Sequence, residues 1–189
     1  TFIRSIPEDK VTIILNDLLK NTDYIVISTV PVKFIHKRFK DISYLSNTLD
    51  HLAYIISRVD ALITVDTSTY HIADSFNVPT LVLFTSINPE FRCKYYPYTK
   101  GILLDKTDDN VLIGKHKMGK ENNDAMDYVN GLWGDFEIKK YVPALKKLAN
   151  KDKNTPSTIS IAPIDHNVAP QLQNNFLYHL QQEWQAIQA

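Results

Sequence analysis

Glycine is scarce in this chain: five of the 189 residues are glycine, and all of them lie at or after Gly101. The Gly-rich phosphate loops of the Walker type and of the dinucleotide-binding type are therefore excluded, because both need several glycines at fixed spacing. A phosphate site in this chain has to use hydroxyl groups and the N-terminal end of a helix instead.

Cysteine content and net charge set further bounds. Cys93 is the only cysteine, which rules out a disulfide within the chain and predicts a reducing compartment, the cytoplasm. Lysine plus arginine and aspartate plus glutamate each number 21, so we expect no broad attraction to nucleic acid or anionic lipid. Apolar runs stay below the length of about 18 residues that a membrane span needs.

No metal site is predicted. The six histidines are scattered along the chain without the spacing of a zinc site. Asp105, Asp108 and Asp109 lie close together in sequence but lack the glycine turn of a calcium loop.

Short apolar runs alternate with helical patterns, which is typical of an α/β fold with one parallel sheet covered by helices on both faces. The irregular segments are predicted to be Pro31–Lys40 and Asp105–Asn123, and a polar linker, Asn150–Thr158, precedes the last helix. The predicted strands are Tyr24–Ile27, Ala61–Val65, Thr80–Phe84 and Gly101–Leu104. The predicted helices are Pro7–Lys20, Thr48–Arg58, Thr69–Phe76, Phe136–Ala149 and Asn175–Ile187.

The most informative stretch follows the second predicted strand, where Asp66 is succeeded by Thr67, Ser68 and Thr69, and then by His71 in the first turn of a helix. Such a junction directs free N–H groups and the positive end of a helix to one place, which suits a phosphate or a phosphorylated sugar. Asp66 either accepts hydrogen bonds from sugar hydroxyls or caps the helix. The three hydroxyl residues either bind a diphosphate or cap the helix, and His71 either holds a phosphate oxygen or makes a structural hydrogen bond.

Other polar residues are expected near this junction. Parallel strands end at the same edge of a sheet, so the loop that contains Thr85 and Ser86 is expected beside Asp66. Arg4 precedes the first helix and is either a second cation for a phosphate or a solvated side chain. Arg92 and Lys94 flank Cys93 and are predicted at the solvated rim, whereas Cys93 itself is interpreted as structural.

The chain resembles the heptosyltransferase-type glycosyltransferases, also called family nine, and in particular their C-terminal half. The family pattern is an aspartate, a serine or threonine, a glycine, two residues, a histidine, an aliphatic residue and an alanine, which corresponds here to Asp66–Ala73. Asn77-Val78-Pro79, the apolar strand and the polar turn ending at Pro89 continue the resemblance, and Arg4-Ser5-Ile6-Pro7 is similar to a Lys-x-Trp-Pro that opens a helix. The resemblance covers residues 1–149.

The resemblance implies a GT-B architecture in which residues 1–149 form the Rossmann-like domain that binds the nucleoside-diphosphate sugar. Its first strand would precede Thr1, and residues 150–189 would form a linker and a C-terminal helix. It also implies transfer of a hexosyl or heptosyl group to a bacterial surface glycan, a lipid or a protein, with no metal or cofactor. The implied catalytic residues are Asp66, His71 and Arg4, and the implied donor-binding residues are Thr67, Ser68, Thr69, Thr85 and Ser86.

Two departures from the family pattern keep alternatives open. Ser68 replaces the family glycine and Arg4 replaces a lysine, which changes the shape of the anion site. A non-catalytic scaffold or assembly module is the second interpretation, and an epimerase-like or phosphatase-like enzyme without a nucleophile signature is the third. The N-terminal acceptor domain is not in this sequence, so the chain alone is expected to bind nucleotide but transfer little. Phe176, Leu180 and Trp184 would pack on that domain or mediate self-association.

Overall fold

The computed structural model of the chain describes residues 4–104, 123–134 and 136–149. Within these ranges, no helix has the length and hydropathy that crossing a membrane requires. The strands are β1 (Val26–Ser28), β2 (Phe39–Asp41), β3 (Leu62–Val65), β4 (Thr80–Phe84) and β5 (Thr99–Leu103). The α-helices are α1 (Glu8–Asn21), α2 (Leu49–Ser57), α3 (Ser68–Ser75), α4 (Asn123–Leu132) and α5 (Val142–Ala149), and short 3-10 turns lie at Ser43–Leu45, Pro89–Phe91 and Ile138–Lys140.

The strands form two parallel sheets. One contains β1 and β2, and the other contains β3, β4 and β5 with β4 in the centre. Val65 pairs with Leu83 and Phe84 with Leu103, so the carboxyl ends of the three larger-sheet strands lie at one edge. The predicted parallel α/β class is confirmed, but the prediction of a single sheet among the described strands is wrong, and β2 occupies part of a segment predicted to be irregular.

The central strand carries the core. All five residues of β4 are buried, and this continuous apolar run explains why the strand can have helices over both faces. One cluster combines Leu81 and Leu83 with Trp133 and Ile138, while a second combines Val82 and Phe84 with the buried ring of Tyr70. The sheet thereby fixes the position of α3, which carries the candidate site.

Local sequence signals set the helix ends near that site. Acidic residues Glu8 and Asp9 occupy the first turn of α1, where they complement the helix dipole. The side chain of Thr48 accepts a hydrogen bond from the N–H of His51 and caps α2. Beyond α3, Asn77 adopts a left-handed conformation with a φ of 57°, a conformation that asparagine tolerates after a helix.

The C-terminal part of the described chain differs from the sequence prediction. The predicted helix Phe136–Ala149 is wrong in its first half: a 3-10 turn at Ile138–Lys140 precedes α5, which begins at Val142. Pro143 explains the difference, because its ring has no N–H and is compatible only with the first turn of a helix. The helix α4 was not predicted. The predicted linker, the helix Asn175–Ile187 and residues 105–122 lie outside the described residues.

Candidate functional site

The candidate site lies where β3 ends and α3 begins. Asp66 directly follows β3, Thr67 is the N-cap residue, and α3 starts at Ser68. Thr85 and Ser86 follow β4 at the same sheet edge, as the sequence predicts for neighbouring parallel strands. Both of these side chains are only 2% exposed, so they lie inside the loop and not on its outer surface.

Asp66 is a buried carboxylate with an incomplete hydrogen-bond set. Only 6% of the residue is exposed, and the hydroxyl of Tyr70 donates to its Oδ1 over 3.5 Å. Its Oδ2 is buried and has no hydrogen-bond partner within residues 4–104, 123–134 and 136–149. An unpaired carboxylate oxygen can accept a hydrogen bond from a ligand, because leaving a buried acceptor without a partner costs free energy.

Tyr70 remains a hydrogen-bond donor to that carboxylate. Burial raises the pKa of Tyr70 well above its ordinary value of 10.0, and the negative charge of Asp66 raises it further. The guanidinium of Arg92 acts in the opposite direction but does not outweigh burial. The phenol is therefore protonated at neutral pH and holds one oxygen of Asp66 in place.

The N-cap residue of α3 does not cap the first turn with its own side chain. Thr67 has the extended conformation of an N-cap residue, with φ of −138° and ψ of 174°, but its hydroxyl accepts no hydrogen bond from a backbone N–H of the helix. That hydroxyl instead lies 2.5 Å from Oγ1 of Thr69, which in turn lies 2.7 Å from Oγ1 of Thr64. The first N–H groups of a helix have no intrahelical acceptor, and the side chain of Thr67 does not supply one here.

The sequence leaves open whether Asp66 caps α3. Asp66 is not the cap of α3, because Thr67 occupies the N-cap position and the only side-chain partner found for the carboxylate among the described residues is Tyr70. The hydroxyls of Thr67 and Thr69 interact with each other, and Ser68 is exposed.

Arg4 lies close to the end of β3. Its Nη1 donates to the backbone carbonyl of Asp66 over 3.3 Å, although 62 positions separate the two residues. The guanidinium is only partly exposed. The contact places a permanent positive charge one residue before the N-cap of α3, where it reinforces the attraction of the helix end for an anion.

His71 is exposed and is held by an aromatic residue that the sequence did not single out. Nδ1 of His71 lies 2.6 Å from the hydroxyl of Tyr96, and the imidazole lies 4.0 Å from the ring of Tyr70, centroid to centroid. When the phenol donates to Nδ1 of the neutral imidazole, the ring proton lies on Nε2, which is then a hydrogen-bond donor. No local signal identifies Tyr96, since it comes from a loop that is distant in sequence.

Cys93 behaves as a structural residue. It is 6% exposed, it belongs to the same buried cluster as Tyr70, and its Sγ lies 3.4 Å from the carbonyl oxygen of Pro89. Burial raises the pKa of the Cys93 thiol, so the reactive thiolate is disfavoured. Arg92 and Lys94, which flank Cys93, are exposed, as expected for residues predicted at the solvated rim of the site.

No cluster of three or more metal-ligating His, Cys, Asp or Glu side chains occurs in the part of the chain that the structure describes.

Comparison with known families identifies the segment that carries this site. Residues 46–115 match the model of glycosyltransferase family 9, the heptosyltransferase family. The matched segment is therefore a family nine glycosyltransferase-type fragment, and it contains Asp66, the uncapped end of α3, His71 and Tyr96. Arg4 lies outside it. Neither the curated proteins nor the solved structures give a significant match.

Proposed function

We propose, from the family nine type of residues 46–115, that this chain binds a nucleoside-diphosphate sugar and is the donor-binding part of a glycosyltransferase. Glycosyl transfer is the activity of the family whose model matches this segment. The sugar would pass to a glycan, a lipid or a protein acceptor. The acceptor-binding domain would come from elsewhere in the complete protein, so the chain alone would bind donor without transferring it.

The diphosphate would bind at the N-terminus of α3. The observation that supports this proposal is the absence of a side-chain cap from Thr67, so that this side chain leaves the first-turn N–H groups available to an anion. Arg4 lies next to this helix end and adds a full positive charge. Charge-assisted hydrogen bonds from N–H groups to phosphate oxygens are about twice as strong as neutral ones, so the helix end and Arg4 would both contribute to recognition.

The sugar would be held by Asp66. Its Oδ1 is occupied by Tyr70, whereas Oδ2 lacks a partner among the described residues and can accept a sugar hydroxyl. One oxygen would be fixed by the protein and the other would be satisfied by the ligand, which would offset the cost of burying the polar group.

The reaction would proceed by displacement at the anomeric carbon. The acceptor oxygen forms a bond to that carbon while the bond from the carbon to the β-phosphate oxygen breaks, and the departing diphosphate takes the electron pair. The amides of α3, the guanidinium of Arg4 and Nε2 of His71 would stabilise the negative charge that develops on the leaving group. The base that removes the acceptor proton is assigned to the other domain and not to a residue of this chain.

Calorimetry with a panel of donors tests the proposal. UDP, ADP, GDP and CDP, each with and without an attached hexose, would be titrated into the full 189-residue chain. We expect one base to give a Kd below about 1 mM, which corresponds to about 4 kcal/mol of binding free energy. Lack of binding by every nucleotide at millimolar concentration would contradict the proposal.

A non-catalytic scaffold is the second candidate, and Ser68 is the observation that favours it. Its side chain stands at the first helical position of α3, where the family pattern has glycine. Asp66→Ala and His71→Ala in the complete protein separate the two candidates. Glycosyl transfer is lost in both variants if this chain is the donor domain, whereas the function of a scaffold is unaffected by either.

A further inference from the structure

The connection between β1 and β2 contains no helix. Residues 29–38 lead from the end of Val26–Ser28 to the start of Phe39–Asp41, and these two strands are parallel. A parallel pair normally needs a crossover of about a dozen residues or more, and that crossover is usually an α-helix. The connection is therefore unusually short for a parallel pair.

The connection is nevertheless firmly anchored. Oδ2 of Asp41 accepts a hydrogen bond from the N–H of Val32 over 2.9 Å, and Oδ1 accepts one from the N–H of Ser43. The ring of Phe34 packs edge-on against the ring of Phe39, with 5.2 Å between their centroids. Both Val32 and Phe34 also pack against the buried cluster that α1 forms with β2. These contacts fix the inner side of the connection, and the carboxylate of Asp41 is engaged by backbone amides of the protein.

Exposure alternates along residues 31–38 with the period of two that an extended backbone produces. The partly buried members are Val32, Phe34, His36 and Arg38. The exposed members, which we call the outer row, are Pro31, Lys33, Ile35 and Lys37. Ile35 is completely uncovered, with a relative exposure of 101%, and Val30 just before the row reaches 62%. Because the inner side chains are held by packing, the outer row projects into solvent from a fixed backbone.

The outer row lies in a segment of one charge sign. Residues 24–40 contain no aspartate or glutamate, although acidic and basic residues number 21 each in the whole chain. Lys33, Lys37 and Lys40 are exposed, and none of them has an ion-pair partner among residues 4–104, 123–134 and 136–149. The guanidinium of Arg38, in contrast, donates to carbonyl groups at the end of α1. Since salt screens charges beyond about 8 Å, the local excess of lysine governs which partner binds here, and the net charge of the chain does not.

An anionic bilayer fits this surface better than a second protein does. A specific protein interface buries at least about 1,000 Å² and packs closely around its apolar side chains, whereas the outer row is a single projecting line. A bilayer can close around a projecting aliphatic side chain such as Ile35. The stems of the lysines can lie along apolar surface while their ammonium groups remain at the lipid phosphates. Each lysine near an anionic surface strengthens binding by about fivefold, so the charged and apolar members of the row act together.

We propose that the outer row is a docking surface for an anionic lipid bilayer. Ile35 would enter the boundary between headgroups and acyl chains, and the ammonium groups of Lys33 and Lys37 would contact lipid phosphates. Such an attachment is reversible and salt-sensitive, because one isoleucine and a few lysines bind far more weakly than a membrane-spanning helix. The proposal rests on residues 29–40 alone, and it holds whatever ligand binds at the end of α3.

Vesicle flotation tests the proposal with the full 189-residue chain. Vesicles of phosphatidylglycerol mixed with phosphatidylcholine would be compared with vesicles of phosphatidylcholine alone. We expect flotation with the anionic vesicles at low salt, and none with the neutral vesicles or at high salt. Substitution of both row lysines, Lys33→Gln with Lys37→Gln, should lower the ratio of bound to free protein by about tenfold or more. Ile35→Ser should lower the same ratio by about threefold or more, since it removes the apolar group that enters the bilayer.

Two matched controls use exposed residues outside the row. Lys146→Gln with Lys147→Gln makes the same change of net charge on α5, and Ile13→Ser removes an exposed isoleucine from α1. Both should leave flotation unchanged, and circular dichroism should show that every variant is folded.

Four results would overturn the proposal. The first is failure of the wild-type chain to float with anionic vesicles, and the second is equal binding to both kinds of vesicle. Equal losses in the row variants and their controls would show that binding does not depend on the row. Self-association of the wild-type chain that Ile35→Ser abolishes, without an effect of this substitution on flotation, would assign the row to a second copy.

Discussion

The hydroxyl of Tyr96 lies 2.6 Å from Nδ1 of His71, although 25 positions separate the two residues. This contact links the loop before β5 to the first turn of α3. The phenol engages one imidazole nitrogen, and His71 is exposed. The contact therefore restrains the orientation of the ring and favours one tautomer of the neutral imidazole.

Tyr96→Phe should weaken nucleotide binding without unfolding the protein. The substitution removes one neutral hydrogen bond, so we expect a loss of about 1 kcal/mol, or about fivefold in Kd. Nitrogen-15 NMR should show that the proton of neutral His71 is no longer confined to Nε2. The matched control is Tyr95→Phe, since Tyr95 is 86% exposed and should leave both measurements unchanged. An unaltered tautomer in the Tyr96 variant would show that the phenol does not position the ring.

Asp66→Asn should separate sugar recognition from diphosphate recognition. The amide oxygen of the variant can still accept the hydrogen bond from Tyr70, but the carboxylate that we propose binds the sugar is lost. Binding of the nucleoside-diphosphate sugar should weaken by about tenfold or more, as expected for a hydrogen bond to a charged group, while binding of the nucleoside diphosphate should be little changed. Asp60→Asn, an exposed residue before the same strand, is the control. Equal losses of affinity for both ligands would contradict the assignment of Asp66 to the sugar.

Tyr70→Phe should destabilise the fold and change its response to alkali. The variant leaves Oδ1 of Asp66 without its donor, which costs about 1–3 kcal/mol of the free energy of unfolding. Because burial raises the pKa of Tyr70 above 10.0, the unfolded chain loses this proton first, and the stability contributed by the neutral phenol is lost as pH rises above 10.0. Urea denaturation between neutral and alkaline pH should show a steeper decline for wild type than for the variant; parallel curves would contradict this role.

Gly101→Ala should be destabilising for steric reasons. A Cβ at Gly101 would lie 2.4 Å from Cβ of Pro89 and 3.0 Å from Sγ of Cys93. Overpacking of this kind costs about 1–3 kcal/mol in the free energy of unfolding. Gly131→Ala is the matched control, because nothing lies within 4 Å of the added atom and the residue is in α4, where alanine is favoured over glycine by about 0.5–1 kcal/mol. Equal effects of both substitutions would contradict the tight contact.

The parts of the fold that depend on local pattern were predictable from the sequence. The strand β4 has the predicted bounds because a continuous apolar run ends at the hydroxyls of Thr85 and Ser86. The start of α3 was also predicted within one residue, since hydroxyl residues favour a helix N-terminus. The position of Arg4 before the first helix suggested either a cation for a phosphate or a solvated side chain, and the structure places its guanidinium at the backbone carbonyl of Asp66.

The parts that depend on distant partners were not predictable. Strand β2 has the short sequence Phe-Lys-Asp and is a strand because it pairs with β1 and packs Phe39 under α1. The contact of Tyr96 with His71 joins two elements across the sheet edge and has no signature in either. The division into two sheets arises from pairing between strands, which periodicity within a strand does not encode.

The central claim is that the first-turn amides of α3 bind the diphosphate, and removal of one N–H tests it most directly. Ser68→Pro deletes that donor at the first helical position, where proline is tolerated, and Thr67 already has the extended conformation that a residue before proline requires. Ser68→Ala keeps the N–H and removes only the hydroxyl. Calorimetry with the nucleoside diphosphate selected from the panel should give about tenfold or greater weakening for the proline variant and less than about threefold for the alanine variant. Equal affinities of the two variants, with both proteins folded, would contradict the account.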